Sequence, residues 1–555
     1  MQPENSEINT AGTIIYATGA QLLLTVFLCF CLSAAAMAAS ISFLPAALPA
    51  AFIAAFLCTA RFFRRRPTAI ASAIALVIWT IVSILAINIA DPSCDGNFYH
   101  QEQVSLLFNG WNPLRNNDIA VSEVWVNHYP VGLEMVGAAL MSLTGALQSA
   151  KAVIIMMIIA GSALTFGLIS DIFPGQPRRR SAIFTLLLIS SPVIVTQLLT
   201  AYVDGVVTVY IALTTLLCTV LLSDSPRRGL YLLLLAAVLV LAAATKFNAL
   251  FYEALTGLCF VVGAAIYGRT RQALRIFVFA IAVIIIAMAT ILFHPYISNW
   301  IQTGHPLYPL MGEGALDIMT DLAPDAIRGH NRFTAFLISF ADLTLPLYGQ
   351  PSGGFSAFFI ILLPLSILIL AVQWYKNRYF GPLQYIGICL IASTFVFSQS
   401  WCARYVPQLW LIVPLAYAAS WTLPRPYGAS LASIGLLCGA TCLCYSAFIT
   451  WKFSNRRHAV IRVAQSMGTV RVANVLPQTR RIMHEAGVNI IEVPYDSIPP
   501  ANHEYLATPW FNGIYDISPL VDIPPAQRRT LDSLIQTSPD RRLIRAIRPS
   551  DTPDE

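Results

Sequence analysis

Two aspartates lie close together at the start of a long polar segment. Asp91 and Asp95 begin a stretch of about forty residues, 91–130, that directly follows an apolar block and is long for a simple connector. A carboxylate held at a helix end can take a proton from a hydroxyl group as a general base, or it can ligate a metal ion. Aspartates at helix ends also serve as caps without doing chemistry. The spacing alone leaves both interpretations open.

Basic side chains and histidines supply groups that could bind an anion. Lys246 lies inside an apolar block, and Arg404 lies between two such blocks. An ammonium or a planar guanidinium there could hold a phosphate group, although Lys246 could instead extend along the lipid to reach water. The histidines at loops or helix ends have no short metal-ligand spacing; they are His100, His128, His294 and His305.

The elements that must position these groups are membrane-spanning helices. Hydrophobic residues make up 57% of the 555 positions and charged residues 11%, whereas a soluble chain carries about a quarter charged residues. We predict about 13 spanning helices, because the apolar blocks have the length that crosses a hydrocarbon core of about 30 Å. The blocks are 13–38, 41–60, 68–90, 131–171, 181–200, 203–223, 229–248, 250–267, 275–296, 354–373, 381–400, 404–421 and 428–451. In 131–171 we predict one crossing, preceded by a juxtamembrane or partly inserted helix over 131–147.

The net charge of +6 comes from short basic runs between apolar blocks, such as 64–66 and 178–180. This is the loop pattern of the positive-inside rule rather than a nucleic-acid-binding stripe. It places the N-terminus in the cytoplasm, and it predicts that 91–130, 201–204, 297–350 and 401–405 face outward. The chain is therefore predicted to be an all-α multi-pass protein of the inner (plasma) membrane.

The composition changes after Trp451. Residues 452–555 are rich in Arg, Asp and Pro and contain no spanning block. Strand-like runs at 469–475 and 488–493 flank a helical stretch at 478–486, which predicts a small α/β unit. We therefore divide the chain into a transmembrane domain, 1–451, and a C-terminal extracytoplasmic domain, 452–555.

Several motifs lie in the outward loops or beside them. They are Asp95-Gly-Asn-Phe-Tyr99-His100, Gly110-Trp-Asn-Pro-Leu114, Tyr129-Pro130, Tyr202-Val-Asp204-Gly205, Asn299-Trp with Gly304-His-Pro-Leu-Tyr308-Pro309, and Ala403-Arg404-Tyr405. In this order they resemble the motifs of bacterial GT-C glycosyltransferases, polytopic enzymes that take a sugar from a polyprenyl-phosphate carrier. The architecture is similar to that of the aminoarabinose transferases and the protein O-mannosyltransferases. Gly96 departs from the pattern, since relatives often have a second acid there, and so does His305, where relatives often have Asn.

The resemblance implies an inverting glycosyltransferase with its active site on the extracytoplasmic face. Asp95 would be the catalytic base, and the carrier phosphate would be held by Lys246, Arg404 or a divalent metal ion, the one cofactor considered. The partners implied are a polyprenyl-phosphate-linked sugar, a cell-envelope acceptor (glycan, lipid or protein) and the lipid bilayer, with no nucleic acid. The substrate-binding residues implied are Asp91, Tyr99, His100, His128, Asp204, Lys246, His305, Tyr308, Arg404 and Tyr405.

Two questions stay open at this point, the function and the state of two cysteines. The other functions considered are a transporter and a non-catalytic membrane scaffold. A transporter or flippase of a lipid-linked saccharide would need ionisable residues near the bilayer midplane and broken helices that face each other. Cys94 and Cys402 lie next to the two key motifs, and their loops are predicted to face the oxidising side. They could form a disulfide or remain two unpaired thiols.

Overall fold

The computed structural model describes residues 10–41, 44–115, 124–316, 323–347, 354–505 and 520–536. Up to the middle of the chain the helices are α1 (Thr10–Ala38), α2 (Leu44–Phe62), α3 (Arg65–Asn88), α4 (Gln101–Phe108), α5 (Val124–His128), α6 (Gly132–Thr144), α7 (Ala152–Ile172), α8 (Arg178–Ile189), α9 (Pro192–Gln197), α10 (Asp204–Leu221), α11 (Arg228–Thr245), α12 (Phe247–Ile266) and α13 (Thr270–Ala289). They are followed by α14 (Phe293–Thr303), α15 (Arg332–Phe340), α16 (Phe359–Asn377), α17 (Pro382–Thr394), α18 (Ile412–Ala419), α19 (Arg425–Met467), α20 (Pro477–Glu485) and α21 (Pro525–Gln536).

Ten helices in the described ranges are long and apolar enough to cross a membrane. They are α1, α2, α3, α7 with the 3₁₀ turn before it, α10, α11, α12, α13, α16 and α19. The helices at the edge present their large aliphatic side chains outward, as on α13, where Val278 and Ile286 are exposed. Helix α10 lies in the interior, against α7, α11 and α12. These features confirm a multi-pass, all-α membrane domain.

Contacts between chain segments define the two ends of this bundle. At one end, which we call the site end, Arg404 contacts both Asp95 and Tyr202, and Lys246 pairs with Asp204. At the other, the arginine end, segments before α3, after α7 and after α18 come together. The contacts there join Arg227 to Phe63 and Asp171, Arg180 to Trp421, Lys376 to the carbonyl of Thr422, and Tyr267 to the carbonyl of Phe380.

The two ends show that thirteen segments traverse the bundle, although only ten are continuous helices. Residues 178–200 must run from the arginine end back to Tyr202, 382–400 must run back to Arg404, and 407–422 must return to the arginine end. Prolines account for two of the breaks, because Pro192 begins α9 after Ser191 and Pro407 begins a 3₁₀ turn before α18. Ser190 and Ser191 at the first of these breaks and Val406 and Pro407 at the second are buried, as interrupted helical backbone at membrane depth must be.

The ambiguous block 131–171 is resolved into a short helix and one spanning helix. Helix α6 has 13 residues and ends at Gly145, whose positive φ of 74° suits glycine. The following 3₁₀ turn, Leu147–Lys151, leads directly into α7. Residues 132–141 of α6 are all buried, so this helix is enclosed by protein, between α4 and the ends of α1 and α2.

The C-terminal unit is a small four-stranded sheet with flanking helices. Its strands are β1 (Thr469–Ala473), β2 (Asn489–Glu492), β3 (His503–Tyr505) and β4 (Leu520–Asp522). The order is β2-β1-β4-β3, with β2 parallel to β1 and the other pairs antiparallel. The strand–helix–strand prediction is confirmed here. Helix α19 runs without interruption through the predicted boundary at Trp451, and residues 506–519 and 537–555 of the predicted domain lie outside the described residues.

Candidate active site

Asp95 lies at the start of a π-helical turn, Gly96–His100, that connects the end of α3 to α4. Single π-helical turns are frequently found at functional sites. The Asp95 carboxylate is 21% exposed, and it lies 3.4 Å from Arg404 Nη2. The Tyr99 hydroxyl donates to the same Asp95 Oδ2 over 3.4 Å. The first loop, its π-helical turn and the Arg404-Tyr405 motif therefore meet at one carboxylate.

Asp91 has a structural position beside this turn. It is buried, and its carboxylate accepts from the backbone N–H groups of Ser93 and Ala201, both over 2.8 Å. The second of these bonds ties the first loop to the segment that carries Asp204. A Cβ atom on Gly96 would lie 2.2 Å from Asp91 Oδ2. The glycine that replaces the second acid of the GT-C pattern is thus required, because Asp91 fills the space beside it.

The Arg404 guanidinium is enclosed by aromatic rings. Its Cζ lies 4.8 Å from the Tyr202 ring centroid and 5.3 Å from that of Tyr405. Its side chain is 11% exposed, and its Nε and Nη1 atoms are buried without a hydrogen-bond partner. Burial works to lower the pKa of Arg404, but the neighbouring Asp95 carboxylate raises it, and the net shift is upward. Arg404 is a fixed cation with two unused donor nitrogens.

The tyrosines around this cation are neutral. Burial, followed by the charge of Asp95, raises the pKa values of Tyr99 and Tyr202 well above the usual range. The Tyr202 hydroxyl is buried, and its interaction with the Arg404 side chain works in the opposite direction, to lower the pKa of Tyr202. Tyr202 belongs to the Tyr-Val-Asp motif, but the sequence does not predict it as a site residue. A shift of one residue along the chain would turn its ring away from Arg404, so the sequence pattern cannot identify this contact.

Lys246 and Asp204 form a buried ion pair at the site end. Lys246 lies in the junction between α11 and α12, and its Nζ contacts Asp204 Oδ1. Gln197 Nε2 donates to the other Asp204 oxygen over 3.1 Å. Lys246 is 4% exposed, so the alternative in which it reaches toward water is wrong. The Tyr405 ring lies over both cations, with its centroid 5.3 Å from Lys246 Nζ.

His128 and Tyr308 belong to a second cluster, which is built around Asn299. Asn299 Oδ1 lies 2.9 Å from His128 Nδ1, and Asn299 Nδ2 donates to the carbonyls of His128 and Tyr308 over 3.0 and 2.8 Å. The His128 and Tyr308 rings meet edge to face at 4.9 Å. His305 Nδ1 accepts from the Leu307 N–H over 3.1 Å and so closes its own loop. These contacts fix the 299–309 loop against α5.

His100 faces away from Arg404. Its Nδ1 lies 2.6 Å from Glu134 Oε1 of α6, and both side chains are buried. His100, Glu134, Asp91 and Lys151 line a cavity of about 30 Å³ behind the first loop, enough for one or two water molecules. Sequence reasoning missed Glu134, because a single glutamate at the start of an apolar block looks like an ordinary helix-start residue.

The donor set does not fit a resident divalent ion. No group of three or more His, Cys, Asp or Glu side chains suited to a metal occurs among the residues described. Asp95 has a guanidinium beside it, and Asp204 has an ammonium. Each carboxylate already faces a cation, which disfavours a second one in the same place. We therefore assign no step to a metal.

Cys94 and Cys402 are both free thiols. Burial raises the pKa of Cys94 to about 12 and that of Cys402 to about 11, so both thiols are protonated at neutral pH. In the structure, Cys94 and Cys402 are therefore two unpaired thiols rather than a disulfide.

Comparison with known proteins adds a distant likeness. No family model and no curated protein matches the chain. The crystal structure of ArnT from Cupriavidus metallidurans in the apo state is similar at 12% identity and a TM-score of 0.39, over 81% of this chain and 97% of that chain. ArnT from Cupriavidus metallidurans bound to undecaprenyl phosphate is similar at 12% identity and a TM-score of 0.38, over 82% and 97%. Values this low give no residue correspondence, so the site residues are assigned from the geometry of this chain.

Proposed function

We propose that this chain is a GT-C-type inverting glycosyltransferase that moves a sugar from a polyprenyl-phosphate carrier to a cell-envelope acceptor on the extracytoplasmic face. One observation carries the proposal. The buried Arg404 cation has two unused donor nitrogens and lies beside a partly exposed carboxylate at the end of a membrane-embedded bundle. An anionic lipid headgroup would satisfy those donors. The adjacent Asp95 supplies the base that transfer to a hydroxyl needs.

The transfer is a displacement in which Asp95 receives a proton. The acceptor hydroxyl gives its proton to a carboxylate oxygen of Asp95, while its oxygen forms a bond to C1 of the sugar. The bond between C1 and the carrier phosphate oxygen breaks, and the electron pair leaves with that oxygen. Attack from the side opposite the phosphate inverts C1. The charge that develops on the phosphate is stabilised by Arg404, in a site where burial strengthens the interaction.

The weak contact between Arg404 and Asp95 suits this exchange. At 3.4 Å it is longer than a charge-assisted hydrogen bond, which is normally about 2.7–2.9 Å. Arg404 can therefore bind a phosphate through Nε and Nη1 without breaking a strong bond to Asp95. Lys246 acts at longer range, because Asp204 already holds its ammonium. Two other predicted substrate-binding residues lie beside these groups, since the Tyr405 ring faces Arg404 and the Tyr99 hydroxyl donates to Asp95.

A transporter or flippase of a lipid-linked saccharide is the second candidate. The three broken traverses favour it, since discontinuous helices build many transporter sites. Glu253 of α12 adds a buried acid within a spanning helix. The glycosyltransferase is preferred, because the charged cluster lies at a bundle end rather than at mid-depth. A translocation assay separates the two, since a transporter would move the labelled lipid across the membrane without transferring its sugar.

The test of the proposal uses purified full-length protein and a panel of radiolabelled polyprenyl-phosphate sugars, with label followed into cell-envelope fractions. Asp95→Asn keeps the shape of the side chain and removes the base, so transfer should fall by about 10²-fold or more. The matched control is Asp325→Asn, in an outward loop where that side chain is 95% exposed. Equal transfer by Asp95→Asn and the control would refute the assignment of Asp95 as the base.

A further inference from the structure

Asn97 lies two residues after Asp95, and all of its polar groups are used. Its backbone N–H donates to the Ser93 carbonyl over 3.1 Å, and its Nδ2 donates to the carbonyls of Asp91 and Ser93 over 2.9 and 2.6 Å. These bonds close the turn that presents Asp95. The remaining two acceptors of Asn97, its Oδ1 and its backbone carbonyl, are bound from outside the turn.

Both outside partners belong to the C-terminal part of the chain. Arg457 Nη1, on the extension of α19 beyond Trp451, donates to Asn97 Oδ1 over 3.2 Å. Gln478 Nε2, in the first turn of α20, donates to the Asn97 carbonyl. Gln478 is 2% exposed, so this bond is shielded from water and is not a surface contact that water can replace.

Helix α20 also contacts the end of α4 and the segment that joins α6 to α7. Arg481 of α20 lies over the Phe108 ring at 4.8 Å and donates to the Gly145 carbonyl over 3.3 Å. Glu485 accepts from the Leu147 N–H over 3.1 Å. One face of α20 therefore contacts the π-helical turn, the end of α4 and the end of α6.

We infer that the C-terminal domain holds the Asp95 turn in its working position, with Gln478 and Asn97 as positioning residues. The kinetic part of this inference rests on the proposed function. The turn leads directly into α4, but it is preceded by the non-helical residues 89–93, so on that side its position depends on bonds such as those from Arg457 and Gln478 to Asn97. A displacement of about 1 Å at a catalytic group can cost about 10²-fold in rate. The domain would thus contribute to catalysis without touching the substrate.

The experiment compares Gln478→Ala and Gln478→Glu in the full chain. Ala removes the bond, and Glu keeps the shape of the side chain but places an oxygen against the Asn97 carbonyl. The matched control is Arg480→Ala, two residues further along α20, because Arg480 pairs with Glu492 within the C-terminal domain. Cys94, adjacent to Asp95, reports on the turn. Its rate of labelling by a water-soluble maleimide is followed by mass spectrometry, which separates it from the other cysteines.

Labelling of Cys94 should rise at least several-fold in both Gln478 variants and stay unchanged in Arg480→Ala. In the transfer assay, kcat should fall by about 10-fold or more, while KM for the carrier lipid stays within about twofold, because Arg404 is not disturbed. Unchanged labelling in both Gln478 variants would overturn the inference, whether or not the protein transfers a sugar. Raised labelling in a protein without transferase activity would support the positioning role and count against the proposed function alone.

Discussion

Arg404 and Lys246 are both buried cations at the site end, but they differ in how well their donors are satisfied. Lys246 has a direct carboxylate partner in Asp204, which also receives a bond from Gln197. Arg404 has two long contacts, both from Nη2, to Asp95 and to the Tyr405 hydroxyl, and two nitrogens without a partner. An unpaired buried donor is costly, so of these two residues Arg404 has more to gain from an anion. The sequence predicted both residues as phosphate ligands and could not rank them, because the ranking depends on the partner that each one finds.

Substitution of Arg404 tests this ranking. Arg404→Lys keeps the charge but loses the planar guanidinium with its paired donors, so the rate of transfer should fall by roughly 10²-fold. The rate should fall further in Arg404→Met, on the scale of losing a group that stabilises an oxyanion. Binding of polyprenyl phosphate, measured by tryptophan fluorescence or by thermal shift, should weaken in the same order. Arg332→Lys, on an exposed arginine of α15, is the control. Normal binding by Arg404→Met would mean that another residue holds the phosphate.

Asp91 should behave differently from Asp95 when each is replaced by Asn. Asp91 accepts from two buried backbone N–H groups and from Gln101, whereas Asp95 is partly exposed. Asp91→Asn should lower the free energy of unfolding by about 1–3 kcal/mol, since buried donors lose charged acceptors, and thermal unfolding in detergent would show it. Asp95→Asn should leave the melting temperature within about a degree. A reversal of the two effects would mean that the roles are exchanged.

At the level of elements, apolar block length predicted the continuous helices well and the broken ones poorly. The hydropathy of 181–200 and 404–421 is the same whether the backbone is one helix or several pieces. Only Pro192 and Pro407 indicate the breaks, and a proline is also tolerated in the first turn of a helix. The resemblance of Tyr202-Val-Asp204-Gly205 implied a role for Asp204 in the site, and Asp204 lies at the site end. The pairing of Asp204 with a lysine 42 residues later depends on tertiary packing, which the sequence pattern does not contain.

The Asp204–Lys246 pair should couple α10 to the α11–α12 junction. Either Lys246→Met or Asp204→Leu leaves one buried charge alone, which should cost about 3–5 kcal/mol. The double variant removes both charges, so its loss of stability should be smaller than the sum of the two single losses. Thermal unfolding of the three variants in detergent measures the difference. Additive losses would show that the two side chains do not stabilise each other.

At the level of the whole molecule, charge is separated between the two ends of the bundle. The arginine end carries the exposed basic runs around 64–66, 178–180, 227–228 and 269–275, while the cations of the site end are mostly buried or paired. The sequence therefore predicted which loops share an end, and the contacts confirm that grouping. The sequence could not predict that α20 would lie against the Asp95 turn. Nothing in the pattern around Gln478 distinguishes it from a polar residue on the surface.

This separation of charge predicts the orientation in the membrane. Basic loops are retained in the cytoplasm, so a reporter joined after Asp224, in the loop beside Arg227, should report the cytoplasm. A reporter joined after Gln536 should report the opposite side, because the C-terminal domain contacts the Asp95 turn. The two fusions can be compared directly, because both contain the first six traverses and differ in the seven that follow. Two reporters on the same side would contradict thirteen traverses, and a cytoplasmic signal from Gln536 alone would place the site, and any carrier lipid that it binds, on the inner leaflet.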